Sequence, residues 1–304
     1  MRLRYAALVA ALAVPALIAV GLFVARHGLA TDAPLAKGDA TGHYRQPPEL
    51  ADKAARALEG VVRRTPAPGR PAGGAERGDT LRAAQRPAAA EAPATAAVGP
   101  LFYTAQGEPA HGCTASVVHS PAGDLVVTAA HCVYMDGFRT DLAFVPGYRD
   151  GDAPYGVWVP TSIDIDPEWA ADRDPDHDVA FLRVRPSVGD PRGRIEGVTG
   201  AERVRFRPAR RLPTQVLGYP NAGERPVACR NTTEAESTSQ VRFDCEGLPN
   251  GTSGSPFLTE TDPATGLGTL VGVLGGKDEG GDERTSYSAY FGDAVERLYR
   301  RTTR

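Results

Sequence analysis

Asp124-Leu125-Val126-Val127-Thr128-Ala129-Ala130-His131-Cys132 is the segment from which the rest of the chain can be read. Its apolar run is too short for a helix, and small residues punctuate it. It therefore reads as a strand that delivers a histidine and a cysteine to a turn. The same grammar recurs on both sides. Ser116-Val117-Val118, Leu142-Ala143-Phe144-Val145, Val157-Trp158-Val159 and Val179-Ala180-Phe181-Leu182-Arg183-Val184 are short runs between Gly, Pro, Asp and Asn, and so are residues 214–217, 240–243 and 269–274. Many short strands without helical periods between them predict an antiparallel all-β unit. This unit begins near Val98 and extends to 304. One helix closes it at about 292–301, where Phe291, Val295 and Leu298 share a face and Asp293 and Glu296 lie near the positive end of the helix dipole.

Two further segments bear on the histidine. Asp176-His177-Asp178-Val179-Ala180-Phe181 opens a strand, and Asn250-Gly251-Thr252-Ser253-Gly254-Ser255-Pro256 precedes another. A serine hydroxyl is a weak nucleophile at neutral pH and needs a base that is itself oriented by a third group. His131 titrates near neutrality and can take the Ser253 proton. Asp178 can hold the other ring nitrogen as N–H. The small residues around Ser253 allow a tight turn in which the amides of Gly251 and Ser253 point to one spot, as an oxyanion hole requires. Taken singly, each piece has an ordinary structural explanation: a strand-end histidine, a capping aspartate, a flexible loop. Their joint presence in this order, beside cysteines, is what carries the reading.

With those residues in view, the chain resembles the chymotrypsin/trypsin superfamily of serine proteases, in particular the bacterial secreted branch that includes the glutamyl endopeptidases. Thr128-Ala129-Ala130-His131-Cys132, Asp178-Val179-Ala180-Phe181 and Gly251-Thr252-Ser253-Gly254-Ser255-Pro256 are similar to the family's three motifs, and Val98-Gly99-Pro100-Leu101-Phe102, Gly218-Tyr219-Pro220 and Val271-Gly272-Val273 also match. The resemblance covers about 98–300. It implies two antiparallel six-stranded β-barrels, at about 98–200 and 204–291, with the site between them. It also implies a serine endopeptidase with His131, Asp178 and Ser253 as catalytic triad, polypeptide substrates, a monomer and no cofactor. Four cysteines allow three pairings; the resemblance implies Cys113 with Cys132 and Cys229 with Cys245.

The departures from the family pattern are informative. Thr252 stands where the animal enzymes carry an aspartate that pairs with a newly freed N-terminal amine, so that mode of activation is not expected. Leu274 stands where the glutamyl endopeptidases carry a histidine, and Gly275 follows without their tryptophan, which argues against glutamate specificity. Glu246 and Gly247 lie near the position of the trypsin-type pocket aspartate. Glu246 either sits at the pocket base, favouring Arg or Lys, or faces solvent, the ordinary place for a glutamate.

The remainder of the chain sets the context. Lys+Arg number 34 and Asp+Glu 37, a net charge of −3, which points to neither nucleic acid nor an anionic membrane as partner. No Cys-x2-Cys pair is present, which disfavours a metal site. Arg2 and Arg4, the apolar run Tyr5–Val24 and Gly28-Leu29-Ala30 have the layout of a signal peptide over 1–30. The run is longer than the usual ~7–15 residues and approaches the ~20 needed to span a bilayer, so an uncleaved membrane anchor is the alternative. In either case the rest is exported. Residues 31–97 hold a short helical pattern at Leu50, Ala54, Leu58 and Val61, then Pro, Ala, Gly and Arg. They read as a disordered low-complexity spacer or a pro-segment.

Other enzyme classes fail on order. An α/β-hydrolase needs a histidine after its acid and G-x-S-x-G; no histidine follows His177, and position 255 is serine. Subtilisins place the aspartate before the histidine. The remaining rival is a catalytically inactive protease-like binding or adhesion module at the cell surface, which an intact triad disfavours.

Overall fold

Six strands between residues 98 and 186 close on themselves in the computed structural model, which describes residues 35–68, 87–104 and 108–304. They are β1 (Val98–Tyr103), β2 (Ala110–Val118), β3 (Leu125–Thr128), β4 (Leu142–Phe144), β5 (Trp158–Ile165) and β6 (Ala180–Pro186). All pairings are antiparallel, in the order β6-β3-β2-β1-β4-β5, and β6 pairs with β5 as well as β3 to complete the barrel. Alternate residues fill it: Leu101, Val117, Val126, Leu142, Phe144, Trp158, Ile163 and Leu182 are buried in one cluster. β3 is buried on both faces. Val126 points into the barrel, while Leu125 and Val127 join Phe181, Leu258, Leu270, Phe291, Val295 and Leu298 in a second cluster. A strand covered on both sides must be apolar throughout, and this is why Leu125-Val126-Val127 stands out in the sequence.

The second half contains β7 (Pro213–Gly218), β8 (Val227–Thr232), β9 (Gln240–Asp244), β10 (Pro256–Thr259), β11 (Thr269–Val273) and β12 (Thr285–Ala289). Its ladders form two sheets where a second six-stranded barrel was expected. Strands β11-β10-β7-β8 form the core of one, and β9 and β12 lie in the other. Side chains occupy the seams. Ser288 Oγ accepts from Val273 N–H (3.0 Å) between β11 and β12, and Asn231 donates to Asp244 O (2.7 Å) between β8 and β9. A hydroxyl or amide that takes over a main-chain partner interrupts the ladder without opening the packing. Val216, Phe243, Leu248, Phe257, Val271 and Leu274 fill the space between the sheets.

The C-terminal helix is present at Asp293–Thr302, with Val295 and Leu298 packed against Phe181 and Val127 of the barrel. Its end is tied down by Arg183, which donates to Thr302 O (2.9 Å).

Of the two readings of segment 31–97, the disordered spacer does not describe its visible part. Its described part, 35–68 and 87–97, is folded onto both halves. His43–Arg45 adds to β5, and Ala90–Glu91 adds to β8. Helix α1 (Pro48–Glu59) buries Ala51, Ala54, Ala55 and Leu58 against Val145, Val157, Val159, Leu217 and Tyr219. Three of those four helix residues are alanines. The large apolar surface that holds α1 belongs to the barrel and to the second half, so the composition of the segment alone conceals it. The expected export segment 1–30 and residues 31–34 and 69–86 lie outside the described residues. Among the described residues no helix is long and apolar enough to cross a membrane.

Candidate active site

Ala180 on β6 faces Thr128 on β3 across an antiparallel ladder. Two residues beyond each, in opposite directions, stand Asp178 and Ala130, so the barrel register alone brings Asp178 beside His131. His131 lies in the 3-10 turn Ala130–Cys132, and Asp178 follows the 3-10 turn Pro175–His177. Asp178 is fully buried. His131 Nδ1 lies 2.7 Å from its Oδ2, and the backbone N–H of His131 donates to Oδ1 at 2.9 Å. Gly276 N–H donates to Oδ2 at 2.8 Å. A carboxylate only accepts, so Nδ1 carries the proton and Nε2 of the neutral ring keeps its lone pair. Burial pulls the His131 pKa down, but the charge and hydrogen bond of Asp178, with the charge of Glu279, outweigh it and hold the ring above its ordinary value. Trp169, from the short helix Pro167–Asp172, lies beside the imidazole with ring centroids 6.5 Å apart.

Ser253 sits in a turn fixed from several sides. Thr114 N–H donates to Ser253 O (2.7 Å), Gly254 N–H to Leu274 O (2.6 Å) and Ser255 N–H to Thr252 O (3.0 Å). Asn221 N–H holds Asn250 O (2.8 Å), and the Thr114 hydroxyl donates to Gly251 O (3.0 Å), so both peptides flanking Gly251 are oriented. Gly251 has φ +99°, and a Cβ there would lie 2.2 Å from Asn221 N, so no other residue fits. The amides of Gly251 and Ser253 donate to no protein acceptor among the described residues.

Both disulfides join as the resemblance implied, Cys113 with Cys132 beside the histidine and Cys229 with Cys245 between β8 and the end of β9. The sulfurs of Cys113 and Cys132 lie within 4.8 Å of a His131 nitrogen, but they are bonded to each other.

The pocket candidates separate. Gly275 lies against the carboxylate, where a Cβ would stand 2.7 Å from Asp178 Oδ2. Leu274 is buried beside Phe243 and Leu248. Gly247 is exposed at φ +79°. Glu246 is held through its backbone by Pro87 and Ala89 and lines a surface hollow with Asn231, Arg242 and Arg284. Gly276, Thr114 and Asn221 were not legible as site residues, because they act through main-chain groups or one hydroxyl whose partners lie far away in sequence. The Gly275-Gly276 pair was the one visible signal.

Comparisons with known proteins bear on the family and the fold. The profile of the trypsin-like peptidase domain matches residues 113–273. A protease from Arthrobacter nicotinovorans is 25% identical over 71% of this chain and 99% of its own, with a TM-score of 0.61. A thermostable serine protease from an extremophilic microorganism (23%, 69% and 97%, 0.59) and a Glu endopeptidase (15%, 71% and 96%, 0.57) share the fold. No curated protein sequence matches the chain. With the family profile spanning more than half of its length and the barrel in place, the chain belongs to the trypsin-like peptidases and is a serine endopeptidase.

Proposed function

We propose that this enzyme is exported and cleaves polypeptides through an acyl-enzyme, with Ser253 as nucleophile, His131 as general base and acid, and Asp178 as the group that orients the histidine. The observation that carries this is the buried Asp178 carboxylate, 2.7 Å from His131 Nδ1 and held by two further N–H donors. His131 Nε2 takes the Ser253 proton as Oγ attacks the scissile carbonyl, and Asp178 stabilises the imidazolium that forms. The oxyanion is received by the unused amides of Gly251 and Ser253, each worth about 2.7–4 kcal/mol in comparable sites. Collapse expels the amine with the proton from His131. Water, deprotonated by the same ring, then releases the acid and restores Ser253. The two disulfides support an oxidising compartment and hence export.

The test is labelling with a fluorophosphonate probe, alongside peptidase turnover. Wild type should label and turn over; Ser253→Ala should not label, and His131→Ala should lose nearly as much turnover, since the members act as one unit. An unlabelled wild type, or turnover retained in either variant, would overturn the assignment.

A further inference from the structure

Gln240, the first residue of β9, is 4% exposed, and both ends of its side-chain amide are engaged. Nε2 donates to Pro175 O and to Asp176 Oδ1, both at 2.8 Å, and Oε1 accepts from Lys277 N–H at 3.2 Å. These partners fix the amide orientation, because a carbonyl and a carboxylate accept and a backbone N–H donates. The backbone of Gln240 is anchored too: its carbonyl takes the amides of Glu236 and Ser237, and it pairs with Ala289 on β12. One buried side chain of the second half thus grips the turn 175–177 of the first half and the residue that follows Gly276. Those two segments make the surroundings of Asp178. The turn delivers its carboxylate, and Gly276 donates to that carboxylate. The packing is close, since a Cβ on Gly276 would lie 2.5 Å from Gln240 Oε1.

We propose that Gln240 is a positioning residue for the His131–Asp178 pair, clamping the turn that carries Asp178 to the glycine wall that hydrogen-bonds the same carboxylate. This rests on the triad reading above. Without the clamp, Pro175 O and Lys277 N–H lose a buried partner and the two walls of the site are free to shift against each other. The charged and titratable groups around the clamp are Asp176, His177 with its neighbours Asp166 and Asp174, Lys277 with Glu236, and Glu279. None of them bridges both walls as Gln240 does.

The experiment compares wild type with Gln240→Met, which keeps the bulk and removes the amide, and with Gln240→Glu, alone and combined with Asp176→Asn. Rates are taken on a peptide substrate selected from a mixed library, expressed per fluorophosphonate-titrated site, and thermal unfolding is measured in parallel. In Gln240→Met, kcat should fall about tenfold with KM nearly unchanged, since displacements well under 1 Å already cost rate. The acid limb of kcat/KM should move to lower pH, because a loosened Asp178 favours protonated His131 less. Gln240→Glu should be worse, with a carboxylate facing Asp176, and adding Asp176→Asn should recover part of kcat. Wild-type kcat and acid limb in Gln240→Met, or a loss that vanishes per titrated site, would overturn the proposal. Failure of the triad reading looks different: wild type itself would not label, or Ser253→Ala would still label.

Discussion

Asp178 is fully buried and takes part in three hydrogen bonds, and the ring it holds carries a raised pKa. General-base catalysis needs neutral His131, so activity should fall as pH drops through that pKa, with the acid limb of kcat/KM above the ordinary imidazole value of 6.5. Glu279 contributes to the shift from the exposed loop after β11. Replacing it in Glu279→Gln should move the acid limb to lower pH, more at low salt than at high salt; an unmoved limb would show that Asp178 alone sets the shift. At this scale the three residues of the proposed triad, Ser253, His131 and Asp178, were readable because each sits in a short motif of distinctive composition. Gly276 and Gln240 were not, because a backbone N–H is common to nearly every residue and a glutamine announces no partner.

Among the elements, the strands of the first half follow the apolar runs closely, while α1 shows what runs miss. Leu58 is fully buried and is the one large apolar residue among the buried positions of α1. Leu58→Ala should lower the unfolding free energy by about 2–5 kcal/mol, measured by denaturant titration; a loss below about 0.5 kcal/mol would mean that α1 is merely laid against the barrel. The turn around Ser253 makes a second prediction. Thr252 is 1% exposed, and its hydroxyl donates to Pro249 O (2.7 Å), so it is satisfied locally. Val98 is fully buried inside β1 with chain folded before it. Activity should therefore not depend on a free amine at Val98, which N-terminal sequencing of active and inactive preparations checks. If trimming to one unique N-terminus switches turnover on from zero, the expectation is wrong.

For the molecule as a whole, the junction of the two halves holds a buried acid that the chemistry does not use. Glu202 is fully buried; its main chain bonds Val117 and His119 beside β2, and its carboxylate accepts from Gly268 before β11 while Oε1 has no partner among the described residues. Burial pushes its pKa up to about 8, against the pull of the Gly268 hydrogen bond. An acid with a raised folded-state pKa binds its proton more tightly when folded. Its stabilising contribution is present below the unfolded value of 4.5 and is lost as pH rises to about 8. Tm should accordingly decline across that window in wild type and decline less in Glu202→Gln; parallel curves would remove Glu202 as the cause.

The sequence by itself determined the all-β class, the family and the C-terminal helix, and it supplied the proposed triad, because each is written in local composition or in spacing along the chain. Only the tertiary structure decided that residues 35–68 and 87–97 belong to the folded unit, that the second half is two sheets joined by side chains, and that Asp178 is held by Gly276 beside the Gln240 clamp. Those features depend on surfaces and main-chain groups brought together from distant parts of the chain. No window of neighbouring residues contains both partners of such a contact.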